Sequence, residues 1–446
     1  MPLLYRRIIF IGFVLLFCIL VPVVLIYATG HTINWSRFSL EKTGSILIDS
    51  EPAEATIFLN NKQLDNSWLN FLKKDEPLTT KAKIKNLAPG EYTIKLEKAG
   101  YWPWEEKFLL APGEVANFST IGLFSKMEPE IIYELNATRS ELSPNGEKIV
   151  LLKKDLLSVI DLTNKIQEIA LDNIPLTGEI NWSSNNGKIT LADLIIELDT
   201  KKIIDLSVEA KKAVTLTRWN NHEDMVYFVA NNKILRYTIS TKIITELSLN
   251  QQLKDLTIVD YLMRADQIYI ITKQKSNQPK LFIGSMEGKL NSIDLPSGNY
   301  KLSQENSPKP VLINGENFYV LDEPLAIFSQ PRLLEVSKNF KHGRWQDGSL
   351  TYSTGIELRR WDKEDSEYLL SRFGSTINSL APINKKTAII MAMQDDIRIY
   401  VNGRQPFTIS LAPIKNSKLV TVSADAKMLY VYGEYNGKAG IFRLAL

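Results

Sequence analysis

Two tryptophans, Trp102 and Trp104, have the type and spacing that most readily suggest chemistry, because flat aromatic faces adhere to sugar rings. One residue separates them, so both share a face of an extended strand with Phe108 and Leu110, the more apolar face. Because both tryptophans share this apolar face, packing in a core is favoured. Contact with a glycan ligand is the alternative.

The three histidines, His31, His222 and His342, offer few options for a general base or a metal site. No two of them have the spacing of metal ligands, and the sequence contains neither a glycine-rich phosphate loop nor a calcium loop. The Gly-x-Ser-x-Gly elbow of α/β-hydrolase domains is also missing. The sequence therefore predicts no catalytic residue, no metal ligand and no cofactor.

A glycosidase remains possible on sequence grounds alone. It would need two carboxylates at a defined separation, and among 50 acidic side chains such a pair cannot be identified. Ser423 and Asp425 give only the start of a sialidase-type box, because Lys427 stands where that box has glycine. We expect a protein that is not an enzyme, with a glycan-active or other hydrolytic enzyme as the alternative.

The charge balance limits which classes of partner are expected, and the cysteine content limits which covalent cross-links can form. Of 53 Lys and Arg side chains, Arg6 and Arg7 precede an apolar N-terminal run, and the others nearly cancel the 50 acidic side chains. Such a balance gives no general field for nucleic acid, which is not expected as a partner. The only cysteine, Cys18, lies inside the apolar run, so a disulfide within one chain is excluded.

The N-terminal run predicts a transmembrane helix. Residues 8–28 carry no charge, and at ~1.5 Å rise per residue such a helix matches a hydrocarbon core of ~30 Å. Arg6 and Arg7 stand just before the run, and the next basic residue is Arg37. The positive-inside rule therefore puts the N-terminus in the cytoplasm and the rest of the chain outside.

A cleaved signal peptide is the competing interpretation of this run. Its cleavage site would need small residues, and the Tyr-Ala-Thr sequence of residues 27–29 fits that need poorly. We expect residues 1–30 to form a cytoplasmic stub and a retained single-pass anchor in the plasma membrane. Residues 31–43 are expected to form a linker.

Alternation with a period of two predicts a small β domain over residues 44–121. Ile46 and Ile48 alternate with Leu47 and Asp49, and the segment 92–97 alternates in the same way. This pattern is typical of half-buried antiparallel strands.

Landmarks of this region resemble, in order, those of PEGA domains: Ser50–Ala55, Leu87–Tyr92, Lys98–Tyr101 and Pro112–Gly113. PEGA domains are small β-sandwiches on bacterial and archaeal surface proteins, and the resemblance covers about seventy residues. Glu54 stands where the family usually has glycine, and residues 65–80 look like an insertion. The resemblance implies surface display and a spacer or binding role, with no catalytic residues.

A repeat of about 38 residues runs from residue 130 to residue 446. Trp182–Ile189 aligns without gaps on Trp219–Val226, an offset of 37 residues. Ser143–Ile149 is the same polar turn one unit earlier, and Ser423–Ala426 repeats it near residue 446. Each unit contains about four short strands without a helical stretch, which is typical of a propeller blade.

Residues 129–446 are therefore predicted to form a β-propeller of eight blades, or of seven if a unit between 250 and 340 is irregular. The final unit lacks a fourth strand, which residues 129–135 could supply. That pairing would close the ring and remove an exposed strand edge. The turn and strand residues 143–165 resemble TolB-type and WD-type propeller repeats.

Trp182, Trp219 and Trp345 recur at the innermost strand of their units. Packing between blades is the favoured interpretation, since repeated core aromatics are expected in propellers. A ring of aromatic faces that binds a ligand around the central channel is the alternative.

The whole sequence predicts an all-β protein with an N-terminal transmembrane helix, a small PEGA-like β-sandwich and a C-terminal propeller. We expect a membrane-anchored extracytoplasmic binding or scaffold protein of the cell envelope, held in the lipid bilayer by residues 8–28. Its propeller would bind a protein or a cell-wall glycan, and an accessory subunit of an envelope assembly is a further alternative. An enzyme should instead show carboxylates with perturbed pKa values that face each other at the channel mouth.

Overall fold

The computed structural model describes residues 3–446 except 35–38, 66–75, 164–166, 173, 175–176, 221, 265, 275–276, 304–306, 323–330, 363–365, 384–387 and 403–405. The first element is the helix α1 (Leu3–Ala28), which contains the charge-free run. Most of its described apolar side chains are exposed, from Val14 at 44% to Phe13 at 70%. Among the helical residues whose side chains are described, none forms a stretch long and apolar enough to cross a membrane.

A two-stranded antiparallel hairpin follows α1 and consists of β1 (His31–Asn34) and β2 (Ser39–Lys42). Residues 35–38, in the segment predicted as a linker, lie outside the described residues. The hairpin is closed by Thr43, whose backbone N–H and hydroxyl both donate to the carbonyl of Gly30, at 2.8 and 3.0 Å. These two bonds hold the start of the next domain at the end of α1.

Seven strands form the small β domain: β3 (Gly44–Glu51), β4 (Thr56–Leu59), β5 (Lys62–Gln63), β6 (Ala82–Leu87), β7 (Gly90–Glu97), β8 (Trp104–Leu110) and β9 (Val115–Gly122). One sheet has the order β6-β3-β9 and the other the order β5-β4-β7-β8. The prediction of antiparallel strands is wrong for β3 and β9, which pair in parallel. Residues 66–75, within the predicted insertion, lie outside the described part of the chain.

The two sheets of this domain pack face to face as a sandwich. Its core contains Ile46 and Ile48 of β3 together with Ile94 and Leu96 of β7, all at most 2% exposed. The buried positions are those that the period-two pattern selects, because successive residues of a strand point to opposite faces.

Eight four-stranded sheets, S1 to S8, make up the described part of the propeller. The first strand, β10 (Glu130–Glu134), belongs to the last sheet, S8. S1 contains β11 (Arg139–Leu142), β12 (Lys148–Lys153), β13 (Leu156–Asp161) and β14 (Gln167–Leu171). S2 contains β15 (Ile180–Trp182), β16 (Lys188–Leu191), β17 (Leu194–Glu197) and β18 (Lys202–Asp205), after which comes the short helix α2 (Leu206–Ala210).

The next three sheets follow without a crossover. S3 contains β19 (Thr215–Trp219), β20 (Met225–Ala230), β21 (Lys233–Thr238) and β22 (Ile243–Glu246), and a 3-10 helix (Ser248–Gln251) comes after it. S4 contains β23 (Thr257–Arg264), β24 (Gln267–Lys273), β25 (Pro279–Ser285) and β26 (Leu290–Asp294). S5 contains β27 (Tyr300–Leu302), β28 (Val311–Asn314), β29 (Asn317–Asp322) and β30 (Arg332–Ser337).

The last three sheets complete the circle. S6 contains β31 (His342–Gln346), β32 (Ser349–Ser353), β33 (Glu357–Trp361) and β34 (Glu367–Arg372). S7 contains β35 (Ile377–Ile383), β36 (Ala388–Met393), β37 (Ile397–Val401) and β38 (Phe407–Ala412). S8 contains β39 (Lys415–Val422), β40 (Met428–Tyr435), β41 (Lys438–Ala445) and β10.

A strand such as β12 shows why a single sheet cannot exist alone. Val150 and Leu152 enter the apolar cluster shared with S2, whereas Ile149 and Leu151 enter the cluster shared with S8. Both faces of the strand are therefore buried, which accounts for its nearly continuous apolar sequence. Neighbouring sheets share a cluster of this kind all around the described ring, so each sheet depends on both neighbours.

The ring closes through an antiparallel pairing of β10 with β41, as predicted. The first strand of S1 also contacts the first strand of S8, which places the first strands around the central channel. Beside the seam, the backbone N–H of Ala137 donates to the hydroxyl of Tyr432 at 2.7 Å. The structure therefore confirms the predicted closing strand. It also confirms eight sheets, which was the favoured number.

The repeated polar turns join the first and second strands of their sheets. Because all first strands run in the same direction, these turns lie at one end of the ring, here called the turn face. In three of them a serine hydroxyl accepts a hydrogen bond from the backbone five residues on, namely Ser143 from Lys148 at 2.9 Å, Ser183 from Lys188 at 3.0 Å and Ser423 from Met428 at 2.9 Å. The similarity of these segments therefore reflects one local turn geometry.

Candidate functional site

Trp102 and Trp104 do not form a paired platform for a sugar. Trp104 is buried in the sandwich core, where its ring meets Phe118 edge to face at 5.8 Å. Trp102 precedes β8 and packs against the apolar cluster between S7 and S8, with the ammonium of Lys126 5.0 Å from its ring centroid. One tryptophan therefore stabilises the sandwich, and the other stabilises its contact with the propeller.

Trp182, Trp219 and Trp345 do lie on first strands, β15, β19 and β31. Each joins an apolar cluster between two sheets, and the indole of Trp219 donates to the carbonyl of Asn181 at 3.1 Å. Trp345 packs edge to face on Trp361. These contacts favour packing between blades over a ring of ligand-binding aromatic faces.

The histidines are far apart in the fold. His31 begins β1, and His222 is exposed in a turn between β19 and β20. His342 is the first residue of β31. No group of three or more His, Cys, Asp or Glu side chains in the described residues could hold a metal ion.

A buried ion pair joins two neighbouring first strands. The Nη2 atom of Arg218 on β19 lies 2.8 Å from Oδ1 of Asp260 on β23, and each side chain is 4% exposed. Both residues follow an irregularity in the pairing of their strand with the next one, between Thr215 and Arg218 and between Ile258 and Asp260. Such bulges turn a side chain out of the regular alternation.

A second carboxylate reaches the same arginine. Oε2 of Glu179 is 3.1 Å from Nη1 of Arg218, and Lys301 lies 3.4 Å from the other oxygen of Glu179. Burial raises the pKa of Asp260, and the attraction of Arg218 offsets only part of this effect. Burial also acts against the charged form of Glu179, but Arg218 and Lys301 outweigh it and lower the pKa of Glu179.

Opposite pKa shifts are what an acid and base pair would need, so this cluster was a candidate for catalysis. The contacts of Asp260 point to another role. Its Oδ1 accepts from Arg218 and from the backbone N–H of Tyr261 at 2.9 Å, and its Oδ2 accepts from the N–H of Leu302 at 2.8 Å. A carboxylate held in this way and closed to solvent joins S3, S4 and S5.

A groove of about 340 Å³ opens at the turn face between S4 and S5. It is lined by Arg264, Gln267, Tyr269, Pro308, Lys309, Pro310 and Leu321. Its volume lies at the lower end of the range of ~300–1,000 Å³ typical of ligand pockets. One wall continues from β23 and the other from β27, and these two strands are linked by the hydrogen bond from the N–H of Leu302 to Asp260.

The groove combines apolar and hydrogen-bonding surfaces. Pro308, Pro310 and Leu321 supply the apolar part. Arg264 donates one N–H to the carbonyl of Ser307, and Nζ of Lys309 is 2.7 Å from Asp322. Beyond this bond, the guanidinium of Arg264 has further N–H donors at the groove edge.

Sequence reasoning missed Arg218, Asp260, Arg264 and Lys309. One signal was present for Arg218, because it precedes Trp219 as Asn181 precedes Trp182 in the aligned unit. The two equivalent positions also lie close together, because the side-chain amide of Asn181 donates a hydrogen bond to the carbonyl of Thr217, the residue before Arg218. The groove residues carry no comparable repeat signal.

No family model matches the sequence, and no curated protein matches it either. Solved structures with similar folds exist. The chain is similar to the β-propeller domain of Cps50 (Swd1) from Myceliophteria thermophila, at 11% identity over 70% of this chain and 99% of that chain, with a TM-score of 0.39.

A eukaryotic initiation factor is similar at 11% identity over 72% of this chain and 95% of that chain, with a TM-score of 0.44. PorZ, a surface component of the type-IX secretion system of Porphyromonas gingivalis, is similar at 12% identity and a TM-score of 0.37. That match covers 70% of this chain but only 43% of PorZ. No ligand or partner is transferred from these proteins. The sheet order and register described above show an all-β chain whose larger part is a propeller of four-stranded sheets.

Proposed function

We propose that the protein is a non-enzymatic scaffold whose propeller binds a protein partner in the groove between S4 and S5. The groove carries this proposal, because the strands behind its two walls are linked by the buried carboxylate of Asp260, which accepts from the N–H of Leu302, while its surface stays open at the turn face. A preformed groove spares a ligand the cost of ordering the site.

The chemistry of the groove fits an extended peptide segment. Pro308, Pro310 and Leu321 provide apolar contact for a side chain, and Arg264 can donate to a backbone carbonyl or a carboxylate. The ion pair of Lys309 with Asp322 leaves Arg264 as the groove's stronger candidate for polar recognition. We therefore place the peptide's acceptor group opposite Arg264.

We further infer that α1 attaches this scaffold to a lipid bilayer at the cell envelope. The helix is apolar on all sides, and the apolar side chains described along it are exposed except for the half-buried Val21, a combination expected where lipid surrounds the helix. Arg6 and Arg7 at its start favour a cytoplasmic N-terminus and an extracytoplasmic propeller. The sandwich then acts as a spacer between the bilayer and the ring.

The test is capture of partners from membranes with the full-length chain solubilised in detergent. Wild type is compared with the double variant Arg264→Glu and Lys309→Glu, which reverses both basic side chains of the groove. We expect stoichiometric partners with wild type and a loss of at least tenfold with the double variant.

A matched control is Lys273→Glu, which changes the opposite end of β24, away from the turn face. Its side chain is partly exposed and donates to the exposed Asn299 at 2.7 Å, so the fold should tolerate the change. The control should keep the partners. Equal capture by all three proteins, each with a wild-type thermal melt, would exclude the groove as the binding site.

A further inference from the structure

The sandwich carries three large aliphatic side chains that are exposed at one of its ends. Leu40 on β2 is 58% exposed, Leu109 on β8 is 66% exposed and Val115 on β9 is 52% exposed. Leu110, the neighbour of Leu109, is by contrast 1% exposed in the core. Exposed aliphatic surface costs roughly 25 cal/mol per Å² in water, so a cover for these side chains would be favourable.

This end of the sandwich is the end that adjoins α1. The helix ends at Ala28, and the carbonyl of Gly30 accepts both hydrogen bonds from Thr43. Two residues later, Ser45 pairs with Val115, and its N–H donates to the carbonyl of Glu114 at 2.9 Å. Val115 is therefore separated from the end of the helix by only one short run of hydrogen-bonded backbone.

The strands that carry the exposed leucines, β2 and β8, end near the same point. A Cβ added to Gly44 would lie 2.7 Å from the side chain of Leu110, which places the end of β8 against the start of β3. A Cβ added to Gly113 would lie 3.6 Å from the side chain of Lys42 on β2. Strands β2, β8 and β9 thus meet beside the helix terminus.

We propose that this end of the sandwich rests in the interface of the lipid bilayer, with Leu40, Leu109 and Val115 in contact with lipid. The proposal depends on the inference that α1 is inserted in the bilayer. Given that insertion, the two hydrogen bonds between Thr43 and Gly30 leave no free spacer, so the nearest surface available to this end is the headgroup region. Apolar side chains that enter this region add to membrane attachment.

The experiment uses the full-length chain with Cys18→Ser, reconstituted in phosphatidylcholine vesicles that contain a lipid with a quenching nitroxide near the headgroup. A single cysteine is introduced as Leu109→Cys or Val115→Cys and labelled with an environment-sensitive fluorophore. The control is Lys81→Cys, since the side chain of Lys81 is 82% exposed and adjoins Ala82, which pairs with Ile48 toward the other end of β3. We expect fractional quenching at positions 109 and 115 at least twice that at position 81.

Extraction of the vesicles with alkaline carbonate separates the two proposals. Protein that stays in the vesicles but shows equal quenching at positions 109 and 81 would overturn the docking of the sandwich and leave the anchor intact. A blue shift at position 109 without lipid quenching would overturn it too, and would indicate a second copy of the chain as the cover. Release of the protein by carbonate would overturn the anchor and the docking together.

Discussion

Arg218 and Asp260 form an ion pair of 2.8 Å between adjacent first strands of the propeller, and both side chains are closed to solvent. The arginine also contacts Glu179, and the aspartate accepts two backbone N–H groups from S4 and S5. Three sheets are therefore held together around an ion pair whose side chains are each 4% exposed. Loss of one partner should cost much more than loss of a surface pair.

The variant Asp260→Asn tests this expectation. It removes the negative charge but keeps the shape of the side chain, and Glu179 compensates Arg218 only in part. We expect the free energy of unfolding to fall by about 3 kcal/mol. Urea titration of the full-length chain in detergent, followed by tryptophan fluorescence, measures the change.

Two further variants serve as controls for this result. Lys301→Ala removes an exposed partner of Glu179, so it should cost less than about 1 kcal/mol. The double variant Arg218→Met and Asp260→Asn removes both charges and should be less destabilised than Asp260→Asn alone, which leaves the charge of Arg218 without its main partner. A double variant as unstable as the sum of its single changes would contradict the role of the unpaired charge.

Acid should weaken the fourth strand of S6 through Glu357. Hydrogen bonds from Arg359, at 2.8 Å, and from Arg372 lower the pKa of Glu357 from its ordinary value of 4.5 to about 2. A pKa lowered by folding means that this stabilisation is complete above pH 4.5 and is lost as the pH falls toward 2. Glu357→Gln should therefore lower the free energy of unfolding by about 1 kcal/mol at neutral pH. The stability of this variant should also fall less steeply than that of wild type as the pH is lowered.

Thermal melting between pH 3 and pH 7 measures both effects of Glu357→Gln. The control is Glu335→Gln, because Glu335 contacts a single exposed lysine, Lys338, at 3.8 Å. That variant should follow the wild-type curve. Parallel curves for Glu357→Gln and wild type would show that the arginines do not stabilise the charged form.

The closure of the ring should depend on Gly440. A Cβ at this position would lie 2.1 Å from the carbonyl oxygen of Tyr133 on β10, so the two closing strands could not keep their pairing. Gly440→Ala should lower the free energy of unfolding by about 1–3 kcal/mol and make the residues around Glu130 more sensitive to protease. Gly374→Ala is the control, since its Cβ would have no atom within 4 Å. Equal proteolysis of the two variants would argue against a strained seam.

The turn at Glu54 should be improved by glycine. Glu54 has a φ of 65°, a left-handed conformation that glycine adopts without strain. Its carboxylate is 3.9 Å from Lys98 and 83% exposed, so loss of that pair should matter little. Glu54→Gly should therefore stabilise the sandwich by about 1 kcal/mol in a calorimetric melt. Glu54→Ala keeps the Cβ atom, and stabilisation by both variants would point to the carboxylate instead.

The architecture of the propeller could be predicted because its signals are local. Ser143, Ser183 and Ser423 each form their turn with residues that lie at most five positions ahead, so one geometry leaves one pattern in the sequence. Closure by residues 129–135 was also predictable, since the last unit has only three strands of its own. In the same way, the resemblance that expects glycine at the position of Glu54 indicated a left-handed backbone conformation there.

The groove and the buried ion pair could not be predicted, because they depend on distant residues. Arg218 and Asp260 are 42 positions apart, and irregular pairing decides which way each side chain points. Among 53 basic and 50 acidic side chains, no pattern distinguishes a buried pair from a surface pair. Trp102 packs in an apolar cluster as favoured, but most members of that cluster belong to S7 and S8, which are distant in the chain and could not be identified from the sequence.

The strand that closes the ring is also the point where the propeller joins the rest of the protein. β10 begins at Glu130, a few residues after the sandwich, and Glu130 is 2.6 Å from Arg443 on β41. A mechanical pull through the N-terminal region therefore reaches the propeller at its seam, with part of the load shared by the packing of Trp102. The connection between the sandwich and the propeller and the closure of the ring therefore depend on the same hydrogen bonds, those between β10 and β41.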